Sequence, residues 1–272
     1  MVYHALDIEK DLSAYVESVF YFRDFHPDHS IERVVPTGHV FLLIELDDLP
    51  RFTYENIDLK EKDRFTKAWI SGTQKDFLSI SAPQKSSMMV VQFKPLGAYP
   101  ILKTDLSLIA NKVIDAELVF KGAVLELRKL IINSVNVNEK FACVCKFLNT
   151  HLDRCIVVPS DIISLFDLLI TTPFSKHKEA IGSIGYSQKH IISQFKKYHG
   201  LTPKLSHRIL RFNRILNLIQ NKTKVNWTDI SYQCGFSDQS HFIKEFQQFC
   251  GINPSDFIIN NHNDELNFFP IA

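Results

Sequence analysis

One fragment is written twice near the end of this chain. Gly185-Tyr186-Ser187 is followed by Phe195, Gly200 and Pro203, and Gly235-Phe236-Ser237 by Phe246, Gly251 and Pro254. The Phe-x4-Gly-x2-Pro spacing is identical in both copies, which lie 51 residues apart. A repeat of that period is one supersecondary unit used twice. The unit reads as a short helix, a tight glycine turn and a second helix. Such a helix-turn-helix is built to lay its second helix in a DNA major groove.

Bulk properties permit that reading. At 272 residues the chain has room for one large domain or two ordinary ones. An apolar fraction of 45% argues against wholesale disorder. No stretch approaches the ~18–20 apolar residues of a membrane span. The acidic start, MVYHALDIEKDLSAYVE, lacks a secretory signal's basic and apolar regions. Five cysteines, an odd number among apolar neighbours, read as reduced thiols. The expectation is a cytoplasmic protein with no membrane partner. The net charge of +1 hides an asymmetry: residues 174–259 carry 12 Lys or Arg against 5 acidic residues. A basic C-terminal part on an acidic N-terminal part fits a phosphate-binding module on a carrier that does not touch nucleic acid.

The expected fold is α+β: a β-rich barrel or sandwich, cupin-like in broad shape, then helices, then an all-α double helix-turn-helix domain. Residues 11–20 read as a short helix or strand entry. Short β-branched and aromatic runs follow at Val19–Phe22, Ile31–Val35, Val40–Leu46, Ala68–Ile70, Phe77–Ile80 and Met88–Phe93, separated by turn residues such as Pro36-Thr37-Gly38. From about 97 apolar residues recur at helical steps, predicting helices over 116–133 and 138–151. Cys155 to Pro159 reads as a linker, Asp161 to Thr171 as the next helix. The expected domains are 1–115 (β-rich sensing or dimerising), 116–158 (helical linker region), 159–259 (double helix-turn-helix) and a 260–272 tail.

In the second copy Trp227 to Cys234 is the supporting helix, with Thr228 as its expected N-cap. Gly235 occupies the turn, where a residue without Cβ takes a left-handed backbone most readily. Ser237 caps a helix over Asp238–Phe249 that is anchored by Phe242, Phe246 and Phe249. Its first turn presents Asp238, Gln239, Ser240 and His241, polar groups able to meet base edges, with Lys244 and Ser237 placed for phosphates. In the first copy the supporting helix spans 175–184, with Gly182 inside it, and Gly185 is the turn glycine. There Gln188, Lys189, His190 and Ser193 are the base-reading candidates, with Ser187, Lys196 and Lys197 for phosphates. Between the copies Leu205, Ile209, Phe212, Leu216 and Ile219 form one apolar stripe on a helix over Lys204–Gln220, with Arg208 and Arg211 on other faces as further phosphate candidates. Gly200, Pro203, Gly251 and Pro254 mark helix boundaries. An unbroken helix holds the two readers at fixed separation, and readers about 34 Å apart enter successive major-groove segments.

The stretch Gly200-Leu-Thr-Pro-Lys, Arg211-Phe212, Gly235-Phe-Ser-Asp-Gln-Ser-His-Phe-Ile-Lys-Glu-Phe and Gly251-Ile-Asn-Pro-Ser resembles the signature of AraC/XylS-type transcription regulators across roughly 175–258. The resemblance implies a two-motif reader of promoter DNA, with Gln188, Lys189 and His190 in one recognition helix and Asp238, Gln239, Ser240 and His241 in the other. Pro36-Thr37-Gly38-His39 and Gln92-Phe93-Lys94-Pro95-Leu96-Gly97-Ala98 are similar to the β-rich halves of some of these regulators. That implies a small-molecule effector and a homodimer, with RNA polymerase as a further contact.

The rival reading is a small-molecule-binding or metal-dependent cupin-like enzyme whose helical part is a scaffold. A metal cupin needs two or three converging histidines. His4, His26, His29 and His39 are available, but His26 and His29 flank a turn-like Pro27-Asp28. Cys143 and Cys145 stand about 200° apart on a helix, with no second pair at zinc spacing. No Gly-rich phosphate loop, Gly-x-Ser-x-Gly or His-Glu-x-x-His is present. No catalytic residue, metal ligand or cofactor is expected.

Overall fold

Alternation along three strands decides how the N-terminal half is layered. Phe20 and Phe22, Phe41 and Leu43, and Met88 and Val90 point to one face of a sheet. Their neighbours Val19 and Tyr21, Leu42 and Ile44, and Met89 and Val91 point to the other. Both faces are apolar, so the sheet is covered on both sides. In the computed structural model, which describes residues 1–8, 10–175, 188–260 and 268–270, this sheet has six strands in the order β1-β2-β9-β4-β7-β10. They are β1 (Val2–Leu6), β2 (Val16–Phe25), β4 (Phe41–Glu45), β7 (Ala68–Ser71), β9 (Ser86–Phe93) and β10 (Val113–Asp115). A second sheet runs β11-β3-β8-β5-β6, from β3 (Ile31–Val34), β5 (Arg51–Tyr54), β6 (Glu61–Phe65), β8 (Leu78–Ser81) and β11 (Phe268–Pro270). Every recorded pairing is antiparallel.

The outer face of the first sheet is sealed by α1 (Tyr99–Leu102), α2 (Leu106–Ile109), α3 (Glu117–Phe120), α4 (Ala123–Asn133) and α5 (Val137–His151), whose Leu106, Phe120, Val124, Leu127, Ile131, Val144 and Leu148 join its core. The helices expected as a linker region thus pack on the barrel. Arg128 of α4 fastens them by donating to the carbonyls of Glu45 (2.6 Å) and Asp47 (2.8 Å). The helix expected over 116–133 is two helices, broken where Lys121 takes φ +52°. The 11–20 segment is a turn followed by β2, not a helix.

The C-terminal half comprises α6 (Ser160–Thr171), α7 (Gln188–His199), α8 (Pro203–Ile219), α9 (Trp227–Gln233), α10 (Gln239–Cys250) and α11 (Pro254–Ile259). Thr202 caps α8, its side chain accepting from Leu205 N, and Pro203 takes the first turn, where no N–H is needed. Leu205, Ile209, Phe212, Leu216 and Ile219 do lie along α8, all but Leu205 fully buried. α8 touches α6, α7 and α10, so it ties the helices on either side of it together.

This half sits directly on the barrel. Asn213 Nδ2 donates to the Pro36 carbonyl (2.9 Å), Thr73 Oγ1 to the His199 carbonyl (3.1 Å) and Gln248 Nε2 to Asp76 Oδ1 (2.9 Å). Val35, at the end of β3, is buried in the core of the C-terminal half. Gly200, at φ +97°, lies so close to the barrel that a Cβ would fall 2.2 Å from Thr73 Oγ1. The tail then returns to the barrel: β11 pairs with β3, Phe269 opposite Arg33.

Candidate nucleic-acid interface

The second helix-turn-helix is built from local hydrogen bonds. Asn226, rather than Thr228, caps α9, its Oδ1 accepting from Thr228 N (3.1 Å) and Asp229 N (3.4 Å). Its side chain reaches both amides from just outside the helix, whereas Thr228 already lies within the first turn. The chain turns at Gly235 (φ +75°), closed by Phe236 N donating to the Ser231 carbonyl at 3.0 Å. A Cβ on Gly235 would stand 2.5 Å from the Phe174 carbonyl oxygen. Gly235→Ala is therefore expected to lose more than the ~1–2 kcal/mol of a left-handed non-glycine residue. A shift in urea midpoint worth under about 0.5 kcal/mol would contradict this role for the turn.

Asp238, one residue later than expected, caps α10: its Oδ1 accepts from His241 N at 2.8 Å, and Ser237 Oγ donates to its other oxygen at 3.2 Å. The backbone N–H of His241 holds the Asp238 carboxyl below its ordinary range. Phe242, Phe246 and Phe249 are each 1% exposed or less, with Trp227 stacked on Phe242 at 5.7 Å between ring centres. Those anchors leave Asp238, Gln239, Ser240, His241 and Lys244 exposed along the other face. Thr228 Oγ1 donates to Gln239 Oε1 (3.2 Å), linking α9 to α10.

One buried carboxylate interrupts the apolar face of α10. Glu245, with its side chain 3% exposed, is gripped by Arg208 Nε at 2.6 Å and Arg211 at 2.5 Å. Arg208 also donates to Gln248 Oε1 (2.6 Å), and Arg211 lies 4.0 Å above the Phe236 ring. Both arginines are thus engaged in joining α8 to α10. The sequence carried a signal for this: Phe242, Glu245, Phe246 and Phe249 share one helical stripe, and a charge on it needs a partner.

In the first copy α7 turns Ile191, Phe195 and Tyr198 onto Ile162, Leu165, Phe166 and Leu169 of α6. Lys189, His190, Ser193 and Lys196 are exposed, with Lys189, Ser193 and Lys196 on one face. Lys197 faces the barrel instead, its ammonium 5.2 Å from the ring centres of Tyr99 and Tyr198, and Tyr99 raises its pKa. The supporting helix over 176–184, Gly182, Gly185 and Ser187, and the side chain of Gln188, lie outside the described residues. Gly251 (φ +79°), like Gly200 and Gly235, has the left-handed backbone expected of a boundary glycine. Pro203 and Pro254 open α8 and α11.

Residues 182–258 match the family model described as a helix-turn-helix domain. The C-terminal segment is an AraC/XylS-type helix-turn-helix domain. Residues 9–115, ahead of this AraC/XylS-type domain, match a second model, a domain of unknown function (DUF6597). Over 104 residues, 38% of the chain, the sequence is 28% identical to the HTH-type transcriptional regulator YbfI of Bacillus subtilis, a match spanning 30% of that protein's length. ToxT from Vibrio cholerae O395 is similar at a TM-score of 0.43 and 13% identity, covering 91% of this chain and 98% of ToxT. A wild-type ToxT structure with unsaturated fatty acid bound is similar at 0.45 and 12%, covering 89% and 95%. No helix among the described residues is long and apolar enough to cross a membrane. Among them, too, no group of three or more His, Cys, Asp or Glu could hold a metal.

Proposed function

We propose that this chain is a sequence-specific regulator of promoter DNA, acting in the cytoplasm through the two readers of its AraC/XylS-type domain. The observation that carries the reading is α10: a helix pinned by three buried phenylalanines whose opposite face offers Gln239, Ser240, His241 and Lys244 without apolar interruption. Gln239 and His241 read base edges, with Asp238 and Ser240 beside them. In α7 that role falls to Gln188, Lys189, His190 and Ser193. Lys196 and Lys244 take phosphates, with Ser187 and Ser237 at the helix starts. Arg208 and Arg211 set the angle of α10 through Glu245, and Lys197 seats α7 on the barrel.

The barrel half is the input half, taking a small-molecule effector and offering a surface for a second copy. RNA polymerase is the partner on the output side. The segments around Pro36–His39 and Gly72–Asp76 hold the DNA-binding half, so a change in the barrel changes how the readers are presented. Gly38 and the buried His199 are neighbours across this seam, within ordinary van der Waals reach.

Selection from randomised duplexes by the wild-type chain yields its preferred site. On that site Gln239→Ala is expected to relax preference at one position, losing about 1–3 kcal/mol of discrimination. Lys244→Ala and Lys196→Ala are expected to weaken all duplexes alike and lower the salt slope by about one each. Unchanged preference in Gln239→Ala would refute the assignment of α10.

A further inference from the structure

The two copies of the repeat end against the same stretch of barrel. In each, the glycine after the second helix donates its N–H to the carbonyl four residues back, Gly200 to Lys196 and Gly251 to Gln247, both at 2.8 Å. Both glycines take a left-handed backbone (φ +97° and +79°), which closes the helix. Gly200 abuts Thr73, and a Cβ on Gly251 would stand 2.8 Å from Cε1 and Cζ of Phe77. Thr73 and Phe77 lie four residues apart in one loop, between β7 and β8. Equivalent positions of the repeat, 51 residues apart along the chain, thus meet a single loop.

Side chains of the loop reinforce both contacts. Thr73 Oγ1 donates to the His199 carbonyl, one of the acceptors that the end of α7 leaves open. Asp76 accepts from Gln248 in the last turn of α10. The loop is itself braced from two sides. Gly72 N donates to the Lys112 carbonyl (3.0 Å), Asn111 N to the Thr73 carbonyl (2.8 Å) and Gln74 Nε2 to the Lys112 carbonyl (3.1 Å). Asn56 Nδ2 donates to the Phe77 carbonyl at 2.7 Å, and the Arg33 guanidinium lies 5.0 Å from the centre of the Phe77 ring. Backbone groups fastened in this way make the loop a fixed surface.

α8 alone does not fix the direction of a recognition helix. Packing against one neighbour sets a crossing angle loosely, since preferred angles scatter by about 15–20°. A second hold at the C-terminal end removes that freedom. Each recognition helix has 12 residues, so about 10° of tilt over its roughly 18 Å moves the reading end by about 3 Å. That is about the rise of one base pair.

We propose that the β7–β8 loop fixes the separation and mutual angle of the two readers, with Thr73 and Phe77 as positioning residues that set which half-site spacing the protein accepts. The proposal rests on the reading of α7 and α10 as the two readers. The loop holds both helices by their C-terminal ends and leaves their first turns to the duplex.

The test uses the full chain with the duplex it selects, and with duplexes that have one base pair added or removed between the two half-sites. Each such change moves one half-site by about 3.4 Å and turns it by about 34°. Wild type is expected to lose about tenfold or more in affinity, because the readers no longer engage together. Phe77→Ala, which takes away the surface beneath Gly251, is expected to cut that loss to about threefold or less while the preferred bases of each half-site stay the same. If Phe77→Ala does not fold, Asp76→Ala, which removes only the bond to Gln248, is expected to lower the loss about twofold. A loss of wild-type size in the folded variant, or a wild type indifferent to spacing, would overturn the proposal. A selection returning no duplex with two half-sites would overturn the two-reader reading and this proposal together, so the two failures are distinguishable.

Discussion

Replacing Glu245 by alanine is expected to cost about 3 kcal/mol of stability and to abolish selective DNA binding, although Glu245 faces away from the proposed reading surface. Glu245 is the common partner of Arg208 and Arg211, whose side chains are only 30% and 15% exposed. Removing one member of a buried ionic cluster leaves charge without a counter-ion, an effect of roughly 3–5 kcal/mol. The partial exposure of Arg208 places this case at the lower end. The same physics predicts that exchanging the whole cluster (Glu245→Leu with Arg208→Met and Arg211→Met) restores most of the loss, because apolar groups of similar volume do not need one another's charge. Urea denaturation of the single and triple variants decides the matter. A triple variant as unstable as Glu245→Ala would show that packing, not ion pairing, joins α8 to α10.

Acid is expected to destabilise the protein through His199, and His199→Asn is expected to relieve it. Complete burial, with His39 as a lesser influence, pushes the His199 pKa from its ordinary 6.5 down to about 3. Below pH 6.5 the unfolded chain binds a proton that the folded chain refuses until about pH 3, so stability falls as pH falls through that window. The slope is about 1.4 kcal/mol per pH unit once well below the ordinary pKa, giving about 2 kcal/mol between pH 7 and 5. Glu45 works in the opposite direction, since burial raises its carboxyl to about 7 and the folded state binds the extra proton. Both proteins retain Glu45, so the difference between them isolates His199. Asparagine can keep a polar group near Ser206 Oγ, which His199 Nδ1 meets at 3.3 Å. The stability gap between wild type and His199→Asn should narrow, or change sign, by about 2 kcal/mol from pH 7 to 5. Parallel stabilities across that range would mean that His199 gains its proton in the folded state. Because His199 sits where α7 meets the barrel, the same titration loosens the seat of the first reader.

The Phe-Gly-Pro repeat was legible because everything it specifies is local. Gly235 and Gly251 turn left-handed, Pro203 and Pro254 open helices, and the phenylalanines of α10 recur at the steps that bring them to one face. The N-caps were read one or two residues from their places, since Asn226, Thr228, Ser237 and Asp238 are all competent caps and only the backbone selects among them. Strands β5 and β6 escaped notice for another reason. Arg51–Tyr54 and Glu61–Phe65 carry charges at the positions where a strand signal is sought. On β6 those charges are exposed at the edge of a sheet, where they discourage further pairing. Strand β11 had no strand signal at all, because three residues form a strand only when an open edge such as β3 is offered to them.

Spacings of a few residues along one chain are enough to set the left-handed turns at Gly235 and Gly251, the phenylalanine anchors of α10 and the polar face opposite them. Contacts between distant segments assign Arg208 and Arg211 to Glu245, place Lys197 and His199 at the barrel seam, and leave the barrel hollow. The same alternation of apolar residues describes a filled interior and an empty one. Whether opposing side chains meet, and which charge finds which partner, depends on how far apart distant segments come to rest.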